Sequence, residues 1–137
     1  MKRVKGYNFS RPFMGERVPQ HVQNIVIKDY CQKNNLNFLL SSTEYSMNNS
    51  FYILNQLINN MNGIHGIIAY SVFQMPFDNS KREQIFKKIL GKKKEIFFAC
   101  ENLKISSKRD IVRISKIWNL KKITGKCLKP EDLKNKC

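Results

Sequence analysis

Short apolar runs alternate with longer segments of helical periodicity along this chain, and no other sequence feature constrains its fold more. The runs LNFLLS at 36–41, HGIIAYS at 65–71 and KEIFFAC at 94–100 have the length and composition of buried strands. A weaker strand is predicted at 3–9, and helices are predicted at about 19–34, 51–61, 80–90 and 107–118. Strands that alternate with helices form parallel sheets with right-handed crossovers. We therefore predict an α/β fold with a parallel four-stranded sheet and helices on both faces, flavodoxin-like or resolvase-like, in three layers.

The chain length predicts one domain. Its 137 residues can bury a real core but are too few for two. We expect an α/β core at 1–105, an amphipathic helix packed on it at 106–125 and a basic flexible tail at 126–137. The basic start MKRVKGY lacks the apolar stretch of a secretory signal, and the apolar runs are too short to span a bilayer. We therefore expect a cytoplasmic protein.

Charge suggests a partner without identifying one. The formal net charge is +15, and most of the basic residues follow Ser80. A basic surface of this size is typical of proteins that bind nucleic acid or anionic membranes. The same charge is also expected from an AT-rich genome, because the sequence is rich in Lys, Asn and Ile together, and it would then form only a solvated face.

The cysteines do not indicate a metal site. Cys31, Cys100, Cys127 and Cys137 form no CxxC pair, and His21 and His65 are the two histidines. We predict reduced thiols, with Cys31 and Cys100 filling the core, and neither a metal nor a cofactor.

Polar residues follow each predicted strand, and the loops after parallel strands emerge at one edge of the sheet. Arginines beside the start of the first helix would favour an anion there. We therefore predict a ligand site at the carboxyl edge. The candidates for catalysis are Glu44, His21 and Ser10. The candidates for ligand binding are Arg11, Arg17, Gln20, Gln23, Ser42, Thr43, Tyr45, Ser71 and Gln74.

Each candidate also has a structural interpretation. Ser10 could cap a turn, Arg11 and Arg17 could pair with Glu16 or lie in solvent, and Glu44 could cap a turn. Gln74 could satisfy backbone groups, and a histidine at position 21 is usually an inert surface residue. The prediction of a site therefore rests on the set rather than on any one member. His65, at the opposite edge, is predicted to be structural.

Three blocks of the sequence resemble the sporadic carbohydrate-cluster family: GYxxSRPFxGxRxPQxVQNxVIxDYxxKN, LLSSTEYSM and GIIAYSVFQMP. The resemblance covers roughly 4–103 and implies a role in bacterial surface-carbohydrate or lipopolysaccharide biosynthesis. Together with the predicted anion site, this pathway leads us to expect a phosphorylated or nucleotide-linked sugar as ligand, with Ser10, Arg11 and Arg17 on the anion and Glu44 with Gln74 on the sugar. Other enzymes of the glycan pathway would be partners, and a homodimer is expected. Whether the protein catalyses a reaction is left open.

A more distant resemblance is to the catalytic domain of serine recombinases, which begins with a strand ending in GYxR-x-Ser and a helix bearing glutamines. Ser10 would match the nucleophile, but Asn8 and Phe9 stand where the arginine is expected. The loop YSVFQMP also lacks the family's arginine, and RDIVRISKIWNLKK is only a faint DNA-binding helix candidate. This resemblance implies the fold and an alternative function, a nucleic-acid-binding protein of resolvase-like fold without strand-cleaving activity. A purely structural partner protein is the third hypothesis.

Overall fold

The computed structural model describes residues 1–13, 17–47 and 50–127, with side chains described as far as 121. The predicted tail from 128 onward lies outside the described residues. Strands and helices alternate as predicted until the fourth strand, and a short 3₁₀ turn at Val72–Gln74 follows the third. The elements are β1 Lys2–Phe9, α1 Gln20–Lys33, β2 Leu36–Glu44, α2 Tyr52–Asn59, β3 Gly66–Ala69, α3 Asn79–Gly91, β4 Glu95–Phe98, β5 Leu103–Ile105 and α4 Lys108–Cys127.

The sheet is mixed and has five strands in the order β2-β1-β3-β4-β5. Strands β1 to β4 are parallel, whereas β5 pairs antiparallel with β4. The α/β class is confirmed, but the prediction of a purely parallel, four-stranded sheet is wrong. The segment 103–105 is too short to show the alternation that predicts a strand. Its strand conformation comes from pairing with Ile96–Phe98.

Helices lie on both faces of the sheet, but they cover the two faces unequally. Of the helices in the described part of the chain, α1 is the one on the first face, where Ile27 and Cys31 meet Val4, Ile68 and Phe97. Helices α2, α3 and α4 share the other face, whose buried core extends from β1 to Trp118 of α4. All four residues of β4 are buried, whereas Lys104 of β5 is exposed.

One helix cap and two cysteines bear on the local structure. Helix α3 is capped by Asp78, which accepts a hydrogen bond from the Ser80 backbone N–H (2.8 Å). Cys31 is buried as predicted, but Cys100 lies exposed in the turn after β4. Among the described residues, no helix is long and apolar enough to cross a membrane. The predicted cytoplasmic location stays a prediction.

Candidate functional site at the carboxyl edge

A crevice of about 350 Å³ opens where the loops after β1 and β3 leave the sheet. The connections from these two neighbouring strands run in opposite directions, and such a switch point is where open α/β sheets bind ligands. Of the predicted site residues, Arg11 and Gln74 line this crevice. The rest of the lining is apolar: Phe9, Pro12, Phe13, Phe51, Phe73, Met75, Phe77 and Trp118.

Glu44 ends β2 and is buried, with 1% of its surface exposed. Its carboxylate accepts hydrogen bonds from the backbone N–H groups of Ile53 (2.9 Å) and Leu54 (3.3 Å) in the first turn of α2. It also accepts one from the hydroxyl of Tyr7 (3.0 Å), and burial followed by the charge of Glu44 raises the pKa of that tyrosine. A carboxylate is favourable at a helix N-terminus, so Glu44 anchors α2 to the sheet.

Arg11 is buried against the loop that joins β2 to α2. One terminal nitrogen donates to the carbonyl oxygens of Tyr45 (2.8 Å) and Met47 (3.1 Å), and the other donates to that of Ser50 (2.9 Å). The guanidinium also lies over the ring of Phe9, 4.1 Å from its centroid. Since the terminal nitrogens bind three carbonyls, the guanidinium holds this loop in place.

Gln23 and Gln74 connect the ends of β1 and β3, and both are fully buried. The side-chain oxygen of Gln23 accepts from the Phe9 backbone N–H (3.1 Å) and from the amide nitrogen of Gln74 (2.8 Å). Its nitrogen donates to the carbonyl oxygens of Phe9 (2.9 Å) and Val18 (2.8 Å). These bonds satisfy backbone groups at the point where β1 ends and its loop begins.

Ser71 begins the 3₁₀ turn after β3 and is tied to the loop after β4. Its hydroxyl donates to one oxygen of Glu101 (2.7 Å), and the Val72 backbone N–H donates to the other (2.7 Å). The hydroxyl also accepts from the Phe73 N–H, while Gln74 accepts from the Ser71 N–H, which completes a capping box. Glu101 thus fixes the loop after β3 against the loop after β4.

The remaining candidates lie apart from these groups. Thr43 donates to Asn8 (2.7 Å) and is 3.4 Å from Gln20, in a polar network on the α1 face that also contains Asn24 and Ser41. The Ser10 hydroxyl donates to the Glu44 carbonyl at 3.4 Å. Ser42 is half-buried and lines a separate cavity against α2, and exposed Tyr45 stacks on Tyr52. Arg17 and His21 are exposed.

The predicted residues therefore lie at one edge but not around one cavity. Their polar atoms bind one another and the backbone in three groups, one at Glu44 and Arg11, one at Gln23, Gln74 and Ser71, and one at Gln20 and Thr43. The predicted catalytic and ligand-binding roles stay predictions.

Three residues with buried polar contacts at this edge or in the core are absent from the predicted site residues: Tyr7, Glu101 and Arg82. Tyr7 and Phe9 lie two residues apart in β1, so the pattern predicts that both side chains point to the same, buried face. The sequence does not show that the Tyr7 hydroxyl binds Glu44, which is distant along the chain. Glu101 follows the fourth predicted strand, but its bond to Ser71 carries no sequence signal. Arg82 is fully buried over the Trp118 ring, 4.4 Å from its centroid, and burial lowers its pKa to about 10.

No family model and no curated protein matches the chain. Two solved structures do. One is titled the N-terminal catalytic domain of TP901-1 integrase, with 14% identity and a TM-score of 0.62, covering 86% of this chain and 96% of that one. The other is titled a resolvase family site-specific recombinase from Streptococcus pneumoniae, with 10% identity and a TM-score of 0.60, covering 97% of each chain. The chain has a resolvase-like fold.

These neighbours correct the main functional prediction. They support the distant recombinase resemblance, and nothing supports the resemblance to the carbohydrate-cluster family. The prediction of a role in surface-carbohydrate or lipopolysaccharide biosynthesis, with a sugar phosphate or nucleotide sugar as partner, is contradicted by them. The predicted homodimer stays a prediction.

Proposed function

We propose that this chain binds nucleic acid through the exposed face of α4 and does not cleave it. Support comes first from the fold, since the two similar structures are titled as an integrase catalytic domain and a site-specific recombinase. The net charge of +15 adds a general attraction for polyanions. The observation that carries the proposal is the distribution of charge on α4.

Arg109, Arg113 and Lys116 lie at helical spacing on the exposed side of α4, and we call them the α4 basic stripe. The opposite side buries Ile114 and Trp118 in the core, so packing fixes which side faces outward. The one acidic residue in 108–121 is Asp110, whose carboxylate accepts hydrogen bonds from the backbone N–H groups of 106 and 107. A row of cations on a rigid helix suits contact with a phosphate backbone.

The absence of cleavage in this proposal follows from the surroundings of Ser10. Cleavage of a phosphodiester needs cations that stabilise the developing charge. The loop at 70–78 contains no arginine or lysine, and Arg11 already binds three carbonyls. Arg82 lies beneath Trp118 and donates to the carbonyl oxygens of Pro76 (3.0 Å) and Phe77 (3.2 Å). These contacts hold it inside the core.

The test compares two double variants that remove the same charge from different faces. Arg113→Gln with Lys116→Gln alters the α4 basic stripe, and Lys28→Gln with Lys33→Gln alters exposed positions on α1. Fluorescence anisotropy with a labelled DNA duplex across a salt series measures affinity. We expect the α4 variant to bind about tenfold more weakly and to lower the salt slope by about 2, and the α1 variant to behave like wild type. Equal loss in both variants would mean that only net charge matters.

A plasmid-nicking assay tests the second half of the proposal. Supercoiled plasmid should stay intact with the wild-type protein, and no covalent protein–DNA product should appear on a denaturing gel. Nicking by the wild type that disappears in Ser10→Ala would show that Ser10 is a nucleophile and would overturn the proposal.

A further inference from the structure

A cavity of about 850 Å³ opens at the amino edge of the sheet, at the opposite end of the strands from the carboxyl-edge crevice. It lies beside the end of α1 and is bordered by the exposed Lys104 of β5. The residues that matter for its chemistry are Lys2, Tyr30, His65, Phe97 and Lys104. A cavity of this volume falls in the range that small-molecule sites occupy.

Strand register explains why these side chains meet. In β4, Glu95 and Phe97 lie on the same face, because side chains two apart on a strand point the same way. Phe97 pairs with Lys104 of β5 and packs with the core under α1. The side chains of Glu95, Phe97 and Lys104 therefore lie on the face of the sheet that α1 covers. Tyr30, in the last turns of α1, packs against Phe97 with 6.1 Å between ring centroids.

Positive charge converges on one buried carboxylate beside this cavity. The carboxylate of Glu95 accepts a hydrogen bond from Lys2 (3.0 Å) and one from His65, and its other oxygen lies 3.8 Å from the Lys104 ammonium. Both lysine side chains are more than half exposed, at 53% and 56%, so their charges remain accessible at the rim. Lys94 adds a further cation to the lining. Lys2, Lys94 and Lys104 outnumber the one carboxylate of Glu95, so the net charge at the rim is positive.

The rings of Tyr30 and Phe97 line the cavity beside the lysines. Tyr30 is half-buried and also borders a neighbouring cavity of about 420 Å³, so space adjoins it on more than one side. Flat bases stack on such rings, while lysines bind phosphate. The amino-edge cavity combines an aromatic ring with exposed lysines. The carboxyl-edge crevice also has aromatic rings, but the terminal nitrogens of its arginine, Arg11, are bound to carbonyl oxygens.

We propose that the amino-edge cavity is a binding site for a nucleoside phosphate, with the base against Tyr30 and the phosphates on the exposed side of Lys2 and Lys104, away from Glu95. The site lies away from the α4 basic stripe and takes a single nucleotide rather than a strand. It does not depend on the proposed function, and each of the two proposals can fail alone.

The two histidines give a direct test of location. His65 lines the cavity and His21 lies exposed at the start of α1, so each reports on one edge of the sheet. In a one-dimensional proton NMR titration with ADP, the imidazole signals of His65 should shift and those of His21 should stay, with His21→Gln used for assignment. Shifts of His21 alone, or of neither residue, would overturn the proposal.

Calorimetry with parts of the ligand tests the chemistry. ADP should bind about tenfold more tightly than either adenosine or pyrophosphate, because only ADP uses both the ring and the lysines. Equal affinity for ADP and pyrophosphate would mean a plain anion site and would overturn the nucleoside part. Binding of a short single-stranded oligonucleotide at His65 without binding of ADP would assign the cavity to the nucleic-acid surface instead and would overturn the proposal as a whole.

Two variants separate the contributions. Lys2→Gln with Lys104→Gln should weaken ADP about tenfold, and the exposure of both lysines lets this variant fold. Tyr30→Leu should weaken ADP but leave pyrophosphate binding unchanged. The matched control, Lys28→Gln with Lys87→Gln, removes two charges from exposed positions outside the cavity and should bind ADP like wild type. Unchanged ADP affinity in both test variants would refute the site.

Discussion

The two edges of the sheet hold similar residue types in opposite arrangements. At the carboxyl edge, Glu44 and Arg11 are buried and bound to backbone groups of the segment from 45 to 54. At the amino edge, the carboxylate of Glu95 is buried but its lysine partners are more than half exposed around a large cavity. The first arrangement buries the charged groups together with their partners, and the second leaves the lysine side chains partly exposed beside the carboxylate that they contact.

This difference shows how a structural cluster of polar residues can be distinguished from a binding surface. The sequence places more polar residues at the carboxyl edge, yet most of them there replace backbone partners that loops would otherwise lack. The charged groups at the amino edge lie beside open volume. Availability of donors, rather than the number of polar residues, therefore distinguishes a binding surface from a structural one.

Replacing Glu44 with Ala should produce the largest loss of stability. The buried Tyr7 hydroxyl and the N–H groups of Ile53 and Leu54 would lose a charged acceptor. Bonds to charged groups contribute about 1.5–3 kcal/mol each, so we expect a loss of about 3 kcal/mol or more in the free energy of unfolding from urea titration. Ser42→Ala on the same strand should cost less than about 1 kcal/mol. A similar small cost for Glu44→Ala would show that Glu44 is not structural and would support its predicted catalytic role.

Arg11 and Arg17 form a matched pair for the second prediction. Arg11→Ala would leave three carbonyls without a donor and remove a cation over Phe9, so we expect a loss of about 2–3 kcal/mol. Arg17 is exposed, and its replacement by Ala should change stability by less than about 0.5 kcal/mol. Thermal and urea unfolding of the two variants measure both values. Equal, small effects would show that Arg11 is not structural and would support its predicted role in anion binding.

Periodicity predicted the four parallel strands and four helices because each buries enough apolar surface to show a pattern. It missed β5, whose Leu103–Ile105 segment owes its conformation to β4. It also failed to place the side chains of β2. Lys5 pairs with Leu39 and Gly6 with Ser41, so Leu40 is an extra residue that shifts the alternation. A one-residue shift moves every later side chain to the other face, and no local pattern shows that Glu44 points toward α2.

The smallest effect is expected at the amino edge. Burial by itself would raise the pKa of the Glu95 carboxyl, but hydrogen bonds from His65 and Lys2 outweigh it and hold the pKa below its ordinary 4.5. A carboxyl whose pKa is lowered on folding stabilises the folded state above the unfolded pKa and loses that contribution as pH falls through the folded value. Glu95→Gln should therefore cost about 1 kcal/mol near pH 7, because its partners are partly exposed, and the difference from wild type should shrink below about pH 4.5. Urea unfolding of both proteins between about pH 3 and 7 measures this difference. A difference that stays constant with pH would mean that the cations do not act on Glu95, and the charge distribution at the cavity rim would have to be revised.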